Sequence, residues 1–242
     1  MAWRGRFQTR AKGIADLVTD ADLASQSAIQ RTIVERFPDH GFLGEESTGI
    51  AFSEKLNDLA WIVDPLDGTT NYVHGYPHYA VSVALARGSD LLVGVVFDPL
   101  ADICFSASAG RGAWLNGQPI QVSGTTQVSD ALVAVSLPAH VRPNSPDLLD
   151  FVEAVQVCQA VRRSGSAALN LAYVAAGSLD GFWANQINPW DVAAGVLLVR
   201  EAGGVVVGRD GSEFDLWNPH FLSAASAALR DSLLAVLTPF TV

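Results

Sequence analysis

Cysteine and positive charge are both scarce in this chain, and each shortage removes a class of protein. Only two cysteines, Cys104 and Cys158, occur in 242 residues. They stand far apart with no close-spaced ligand partner, which argues against a disulfide framework or a zinc site and for two reduced, mostly buried thiols. Lys and Arg number 15 against 25 Asp and Glu, a net charge of −10. With no basic run to offset it, that balance excludes a nucleic-acid backbone or an anionic membrane as main partner and fits a protein that collects cations. Arg4, Arg6 and Arg10 lie near the start, but no apolar stretch there is long enough for a signal peptide and none later approaches a membrane span. A cytoplasmic protein is expected. No internal repeat or low-complexity tract is present, and at 49% hydrophobic residues the chain has core enough for one large domain or two closely packed halves.

The informative stretch runs from Trp61 to His78. Trp61, Ile62 and Val63 read as a buried strand that stops at Asp64, Pro65, Leu66 and Asp67. Pro65 fixes its own φ and pushes Asp64 toward an extended conformation, so the two acids are held on a stiff turn. Carboxylates this close repel unless one takes a proton or a cation lies between them, and hard oxygen ligands on a rigid frame suit Mg²⁺. Gly68, Thr69 and Thr70 add backbone N–H groups and hydroxyls, a seat for a phosphate oxygen. Asp-Pro and Asp-Gly are also common turn formers, so the pair alone is equally compatible with a plain turn.

The full string Asp64-Pro-Leu-Asp-Gly-Thr-Thr-Asn-Tyr72, after three apolar residues, resembles the first signature of the inositol monophosphatase family, magnesium-dependent and lithium-sensitive phosphatases. Trp190-Asp191-Val-Ala-Ala-Gly195, closed by Glu201-Ala-Gly-Gly204, resembles the second. Pro189 suits a helix start, and a helix N-terminus would keep the Asp191 carboxylate ionised, as a ligand must be. Ala15 to Asp22, Gly44-Glu45-Glu46-Ser47 and Arg163-Ser-Gly-Ser-Ala-Ala168 resemble further family stretches, so that the likeness extends from about Lys12 to Val236. It implies a metal site of Glu45, Asp64, Asp67, Asp191 and the Leu66 carbonyl for two or three Mg²⁺ ions, with Asp22 at an extra position. Glu45 and Thr69 would orient the attacking water, with Asp67 beside them. Asp67, Gly68, Thr69, Gly165, Ser166, Ala167 and Asp191 would face a small phosphorylated metabolite. Taken from the residues alone, Asp22 stands in capping-box spacing with Thr19, Glu45 and Glu46 are an ordinary solvated pair, and the five histidines show no ligand spacing.

The resemblance also implies a five-layer α/β/α/β/α sandwich of the sugar phosphatase type and a homodimer. Residues 1–122 would carry the metal loops, and residues 123–242 Asp191 and the substrate-facing turn. Two departures stand out. Eleven residues precede Lys12, where the family has a long helix. Ala184 occupies the position, seven before Asp191, at which the family often has an inositol-binding glutamate. Alternation along a strand would point Trp183 and Asn185 away from it. The expected activity is hydrolysis of a small phosphomonoester by a metal-activated water, with histidinol phosphate, a nucleotide bisphosphate or fructose bisphosphate as alternative substrates. Aspartyl-phosphate phosphatases are set aside because their two acids lie two residues apart on one strand face, whereas Asp64 and Asp67 lie three apart. A non-catalytic metal- or phosphate-binding regulatory protein is the alternative of another class.

Along the chain, Thr19 should cap a helix from Asp20 to Phe37. Strands are expected at Tyr79 to Ala86, Leu91 to Phe97 and Ile103 to Ala107 in an antiparallel meander, with an Asn-Gly hairpin at Asn116-Gly117. A small, polar seam follows at Ser123 to Ser129. Then come a strand at Ala131 to Val135, a helix at Asp147 to Gln159 with Leu148, Phe151, Val152 and Val155 inward, and a helix at Ala167 to Ala176. Last are a strand at Leu179 to Trp183 and a helix from Val192 to Glu201 that ends at Gly203-Gly204.

Overall fold

In the computed structural model, which describes residues 9–13, 16–47, 58–138 and 140–237, the strand pattern of the first half becomes a seven-stranded sheet. Its members, in spatial as well as chain order, are β3 (Gly41–Gly44), β4 (Leu59–Asp67), β5 (Ala80–Arg87), β6 (Asp90–Asp98), β7 (Ile103–Ser108), β8 (Ala113–Leu115) and β9 (Gln118–Ile120). β3 runs parallel to β4 and every later pair is antiparallel, so the meander is as expected. Asn116 and Gly117 both take positive φ, 48° and 76°, which a two-residue turn between right-twisted strands requires. The ribbon β1 (Thr9–Gly13) and β2 (Asp16–Thr19) precedes the sheet and leads into the first helix.

Residues 121–131 carry the chain to a five-stranded mixed sheet. It is built from β10 (Leu132–Ser136), β11 (Ala160–Arg162), β12 (Gly181–Ala184), β13 (Val205–Gly208) and β14 (Phe221–Ala224), in the order β11-β10-β12-β14-β13. Helices α4 (Ala167–Ala175) and α5 (Pro189–Glu201) lie between the two sheets and touch both. All of α4 but Tyr173 and the run Val192–Val199 of α5 are buried, because a helix covered on both sides has no solvent face there. Helix α1 (Asp20–Arg36) covers the outer face of the larger sheet, and α3 (Pro146–Val157) with α6 (Ala227–Val236) covers the smaller; the short α2 (Thr69–His74) follows β4. The result is the five-layer α/β/α/β/α sandwich.

Close approach in the middle layer depends on small residues. A Cβ on Gly195 of α5 would lie 2.4 Å from the Leu171 Cβ of α4, and one on Gly94 of β6 would lie 2.7 Å from the Ala194 carbonyl oxygen.

Several boundaries and faces differ from the sequence expectation. β4 does not stop at Asp64 but continues through Asp67. α5 begins three residues earlier than expected, at Pro189, and β12 starts at Gly181 rather than Leu179. In α1 the inward residues are Asp22, Gln26 and Ile33, while Leu23, Val34 and Phe37 are exposed. In α3 the inward residues are Asp147, Asp150 and Ala154, and Val152 and Val155 face out. Both helices bury polar groups that have partners elsewhere in the fold, and a purely apolar stripe misplaces such a face. Cys104 and Cys158 are both free thiols. Among the described residues no helix is long and apolar enough to cross a membrane. Ala15, part of one of the family-like stretches, lies outside the described residues.

Candidate metal centre

A β-bulge gathers the first two acids. On β4, Asp64 pairs with Ser82 and Asp67 with Ala80, so three steps on one strand oppose two on the other. The extra residue breaks the alternation that would have sent the two side chains to opposite faces. The separation argued from regular strand geometry therefore does not hold. The carboxylates of Asp64 and Asp67 point into one group with Asp191, each offering an oxygen within 4.8 Å of the others.

Asp191 reaches the group from the middle layer. Asn188 and Asp191 form the capping box of α5, the Asp191 carboxylate accepting the Asn188 N–H at 2.8 Å. The Ser82 hydroxyl on β5 donates to the Trp190 carbonyl at 3.2 Å, which ties this helix start to the larger sheet. Asp67 is bound to the other inner helix: it accepts the Ala167 N–H at 3.2 Å, the Ala168 N–H at 2.8 Å and the Ser166 hydroxyl. These are the first amides of α4, whose positive end favours an anion there. Asp64 accepts the Leu66 N–H at 2.9 Å, closing a tight turn around Pro65.

Three acids this close cannot all be ionised cheaply without a cation. Burial and the charges of Asp67, Glu45 and Asp191 hold the Asp64 carboxyl well above the ordinary range. Burial raises Asp67 to about 6 against the opposing pull of Ser166 and the α4 amides. Burial, with Asp67 next, raises Asp191 to about 7. An all-oxygen donor set under mutual repulsion fits a hard divalent cation.

Around this core lie the other expected ligands. Glu45 follows β3, its N–H bonded to the Val63 carbonyl at 3.1 Å, and its charge acts on all three aspartates. The loop is held by Gln26 of α1, whose side-chain oxygen accepts the Glu46 N–H at 2.9 Å. Nothing in the sequence singled Gln26 out, since a glutamine on a helix reads as surface. The Thr69 hydroxyl lies 3.0 Å from both the Leu66 carbonyl and Asp22 Oδ1. The other oxygen of Asp22 accepts the Thr19 N–H at 2.9 Å and the Thr19 hydroxyl at 2.5 Å, so Asp22 closes the capping box and also buttresses Thr69.

Beside the carboxylates a cavity of about 310 Å³ is lined by Asp67, Thr70, Asn71, Arg163, Gly165, Ala167, Gln186, Ile187, Asp191 and the end of β10. Gly165 lines it, while Ser166 is fully buried as the cap of α4. Gly68 takes φ 90° at the start of α2, where an added Cβ would meet the His78 carbonyl oxygen at 3.0 Å and that of Gly165 at 3.2 Å. Asn71, another residue the sequence did not single out, donates to the carbonyls of His78 at 2.7 Å and Ser164 at 2.8 Å, joining the first signature to the substrate-facing turn. Ala184 is fully buried in the inner core, whereas Trp183 and Asn185 face the opposite side of β12, toward α3 and α6. Among the described residues, histidine and cysteine take no part in the group that could hold a metal.

Comparison with known proteins agrees with this arrangement. A model of the inositol monophosphatase family matches residues 2–238. Inositol monophosphatase 2 of Solanum lycopersicum is 43% identical over 93% of this chain and 87% of its own length. The Nus factor SuhB of Pseudomonas aeruginosa is 41% identical over 94% of this chain and 85% of its own. Among solved structures, the extragenic suppressor protein suhB from Bartonella henselae superposes with a TM-score of 0.90 at 37% identity, covering 99% of this chain and 92% of that one. With a match over nearly its whole length and carboxylates gathered from both signatures, the chain belongs to the inositol monophosphatase family.

Proposed function

We propose that the protein hydrolyses small phosphomonoesters with Mg²⁺, two or three ions held by Asp64, Asp67, Asp191, Glu45 and the Leu66 carbonyl, with Asp22 at the further position. The observation that carries this is the group of three aspartates, brought together by a bulge and a helix start, whose carboxyls are all pushed upward. Bound there, the ions supply a water of lowered pKa and neutralise charge on the phosphate and the leaving oxygen. The rest falls to the chain. The single Thr69 hydroxyl hydrogen is directed to Asp22 or to the Leu66 carbonyl. Its lone pairs are left to accept a hydrogen bond from the attacking water and aim it, with Glu45 as second acceptor. Asp67, fastened to α4, keeps the metal loop and the Gly165–Ala167 turn in one register.

The cavity favours breadth of substrate. Among the described residues its acids are Asp67 and Asp191, and the remaining polar lining is Arg163, Asn71, Gln186, Thr70 and Ser136. Among them there is no further carboxylate to discriminate between polyol hydroxyls. Inositol 1-phosphate, glycerol 2-phosphate and a nucleoside monophosphate are therefore expected to differ in kcat/KM by less than about a hundredfold, the scale of roughly 3 kcal/mol of a well-made polar contact. Ala184→Glu would bury a carboxylate in the core, so Gln186→Glu is the variant that adds an acid to the cavity. A magnesium-dependent phosphate-release assay over these esters, histidinol phosphate, a nucleotide bisphosphate and fructose bisphosphate tests the reading. Inhibition by lithium at low magnesium is expected with it. The same assay separates an enzyme from a regulatory protein, the alternative that the name of the Pseudomonas relative keeps in view. A homodimer and a cytoplasmic location belong to the proposal, as does the division into residues 1–122 and 123–242.

A further inference from the structure

Behind the cavity, on the outer face of the smaller sheet, is a buried polar cluster that the proposed chemistry does not use. Arg209, just past β13, donates through Nε to the Asn185 side-chain oxygen at 2.9 Å and through a terminal nitrogen to Asp150 of α3 at 2.7 Å. The Asn185 amide nitrogen donates to Asp147 at 3.1 Å and to Asp150 at 3.2 Å, and its backbone carbonyl accepts from the His220 ring. Asp147, Asp150, Asn185 and Arg209 are all buried.

A buried ion pair yields little net stability relative to well-packed apolar residues, so stability alone does not account for this one. Its place in the chain does. Asn185 is the first residue after β12, and the next two, Gln186 and Ile187, line the cavity before Asn188 and Asp191 cap α5. Asp191 is set by its own capping box, but the segment from 185 to 187 has no helix or strand to fix it. We propose that Arg209 is a positioning residue for substrate recognition: through Asn185 it sets the Gln186–Ile187 edge of the cavity. The planar guanidinium suits this, because one rigid fork spans Asn185 and Asp150 together. The proposal rests on the phosphatase reading only for its kinetic consequence.

The test replaces the ion pair as a unit, Arg209→Met with Asp150→Leu, so that no lone partner of the pair stays buried, and compares it with Asn185→Leu and with the triple variant. Two readouts are taken on folded protein. Hydrogen exchange over 186–188, read at the Asn188 amide that Asp191 holds at 2.8 Å, should rise at least about tenfold while β12 and the body of α5 stay protected, since local opening is read directly by exchange. With a phosphomonoester that wild type turns over, KM should rise about tenfold with kcat within about twofold. The triple variant should be no worse than Asn185→Leu, because the pair acts through that side chain. A merely structural role would lower kcat through a smaller active fraction and leave KM alone. Arg209→Lys keeps the charge without the fork and should recover less than half of the exchange protection; full recovery would overturn the assigned role of the fork. Unchanged exchange at 186–188 in the paired variant overturns the inference whatever the kinetics. Raised exchange in a protein whose wild type shows no magnesium-dependent turnover upholds the positioning role and removes the phosphatase reading instead.

Discussion

Asp67 accepts three hydrogen bonds at the α4 N-terminus while its carboxylate also faces Asp64 and Asp191, so its charge and its shape can be separated by substitution. In Asp67→Asn the amide oxygen can still accept from Ser166 and Ala168, while the charge is lost. The expected result is a folded protein, destabilised by no more than about 2 kcal/mol, whose kcat/KM falls by more than about a hundredfold. Turnover at the wild-type level in that variant would remove Asp67 from the site. Gly68 makes a second residue-scale argument, because two penalties coincide there: φ is 90°, and a Cβ would press on the carbonyls of His78 and Gly165. Gly110 has φ 70° with nothing near its missing Cβ. Gly110→Ala should therefore cost only the strain of a left-handed residue, about 1 kcal/mol, and Gly68→Ala about 1–3 kcal/mol more, as urea midpoints at constant slope. Equal losses would mean that the loop yields to the added methyl.

At the level of elements, the sequence was most legible where one local rule sufficed. The Thr19 cap, the Asn116-Gly117 turn and the meander after Ala80 each follow from a few neighbouring residues, and each is present. It was least legible where a partner distant in the chain decides. The bulge between Asp64 and Asp67 depends on pairing with β5, and the polar inner faces of α1 and α3 depend on Thr69, Glu46, Asn185 and Arg209. The three aspartates that the fold gathers were readable because both signatures are contiguous strings, whereas Gln26, which holds the Glu45–Glu46 loop, lies outside any such string and Asn71, inside the first, reads as an ordinary turn residue. Packing between α4 and α5 offers a prediction of the same kind. Gly195→Ala would gain about 1 kcal/mol of helix propensity on an isolated helix, but its methyl would collide with the Leu171 Cβ. Overpacking of about 1–3 kcal/mol should outweigh that gain, lowering the urea midpoint and weakening magnesium binding, since α5 carries Asp191 and α4 holds Asp67. A raised midpoint would show that the helices can separate at little cost.

For the molecule as a whole, the three buried carboxylates make stability a function of pH and, on the function proposed above, of magnesium as well. Burial first, and neighbouring acids after it, push Asp67 to about 6, Asp191 to about 7 and Asp64 well up, against an ordinary value of 3.8 in each case. In the metal-free protein these groups hold protons that the unfolded chain has released. Their contribution to stability is therefore complete below about pH 4 and lost as pH rises through about 6 to 7. His78 works the other way: burial lowers its pKa, so acidification favours the unfolded chain at that site. A melting temperature measured in chelator mixes the two effects, and the informative quantity is the increment that magnesium adds. A cation must displace the same protons, so its apparent affinity falls as pH falls. At about pH 8 and a free concentration near a hundred times Kd, linkage gives about 2.7 kcal/mol, or roughly 5–10 °C for a domain of this size. At about pH 5.5 and the same magnesium concentration, the increment should shrink to less than about half, while the His78 term cancels between the paired scans. Asp191→Asn, which removes one of the displaced protons, should flatten the dependence. An increment that stays constant or grows toward low pH would mean that the ion is not held by these three carboxylates.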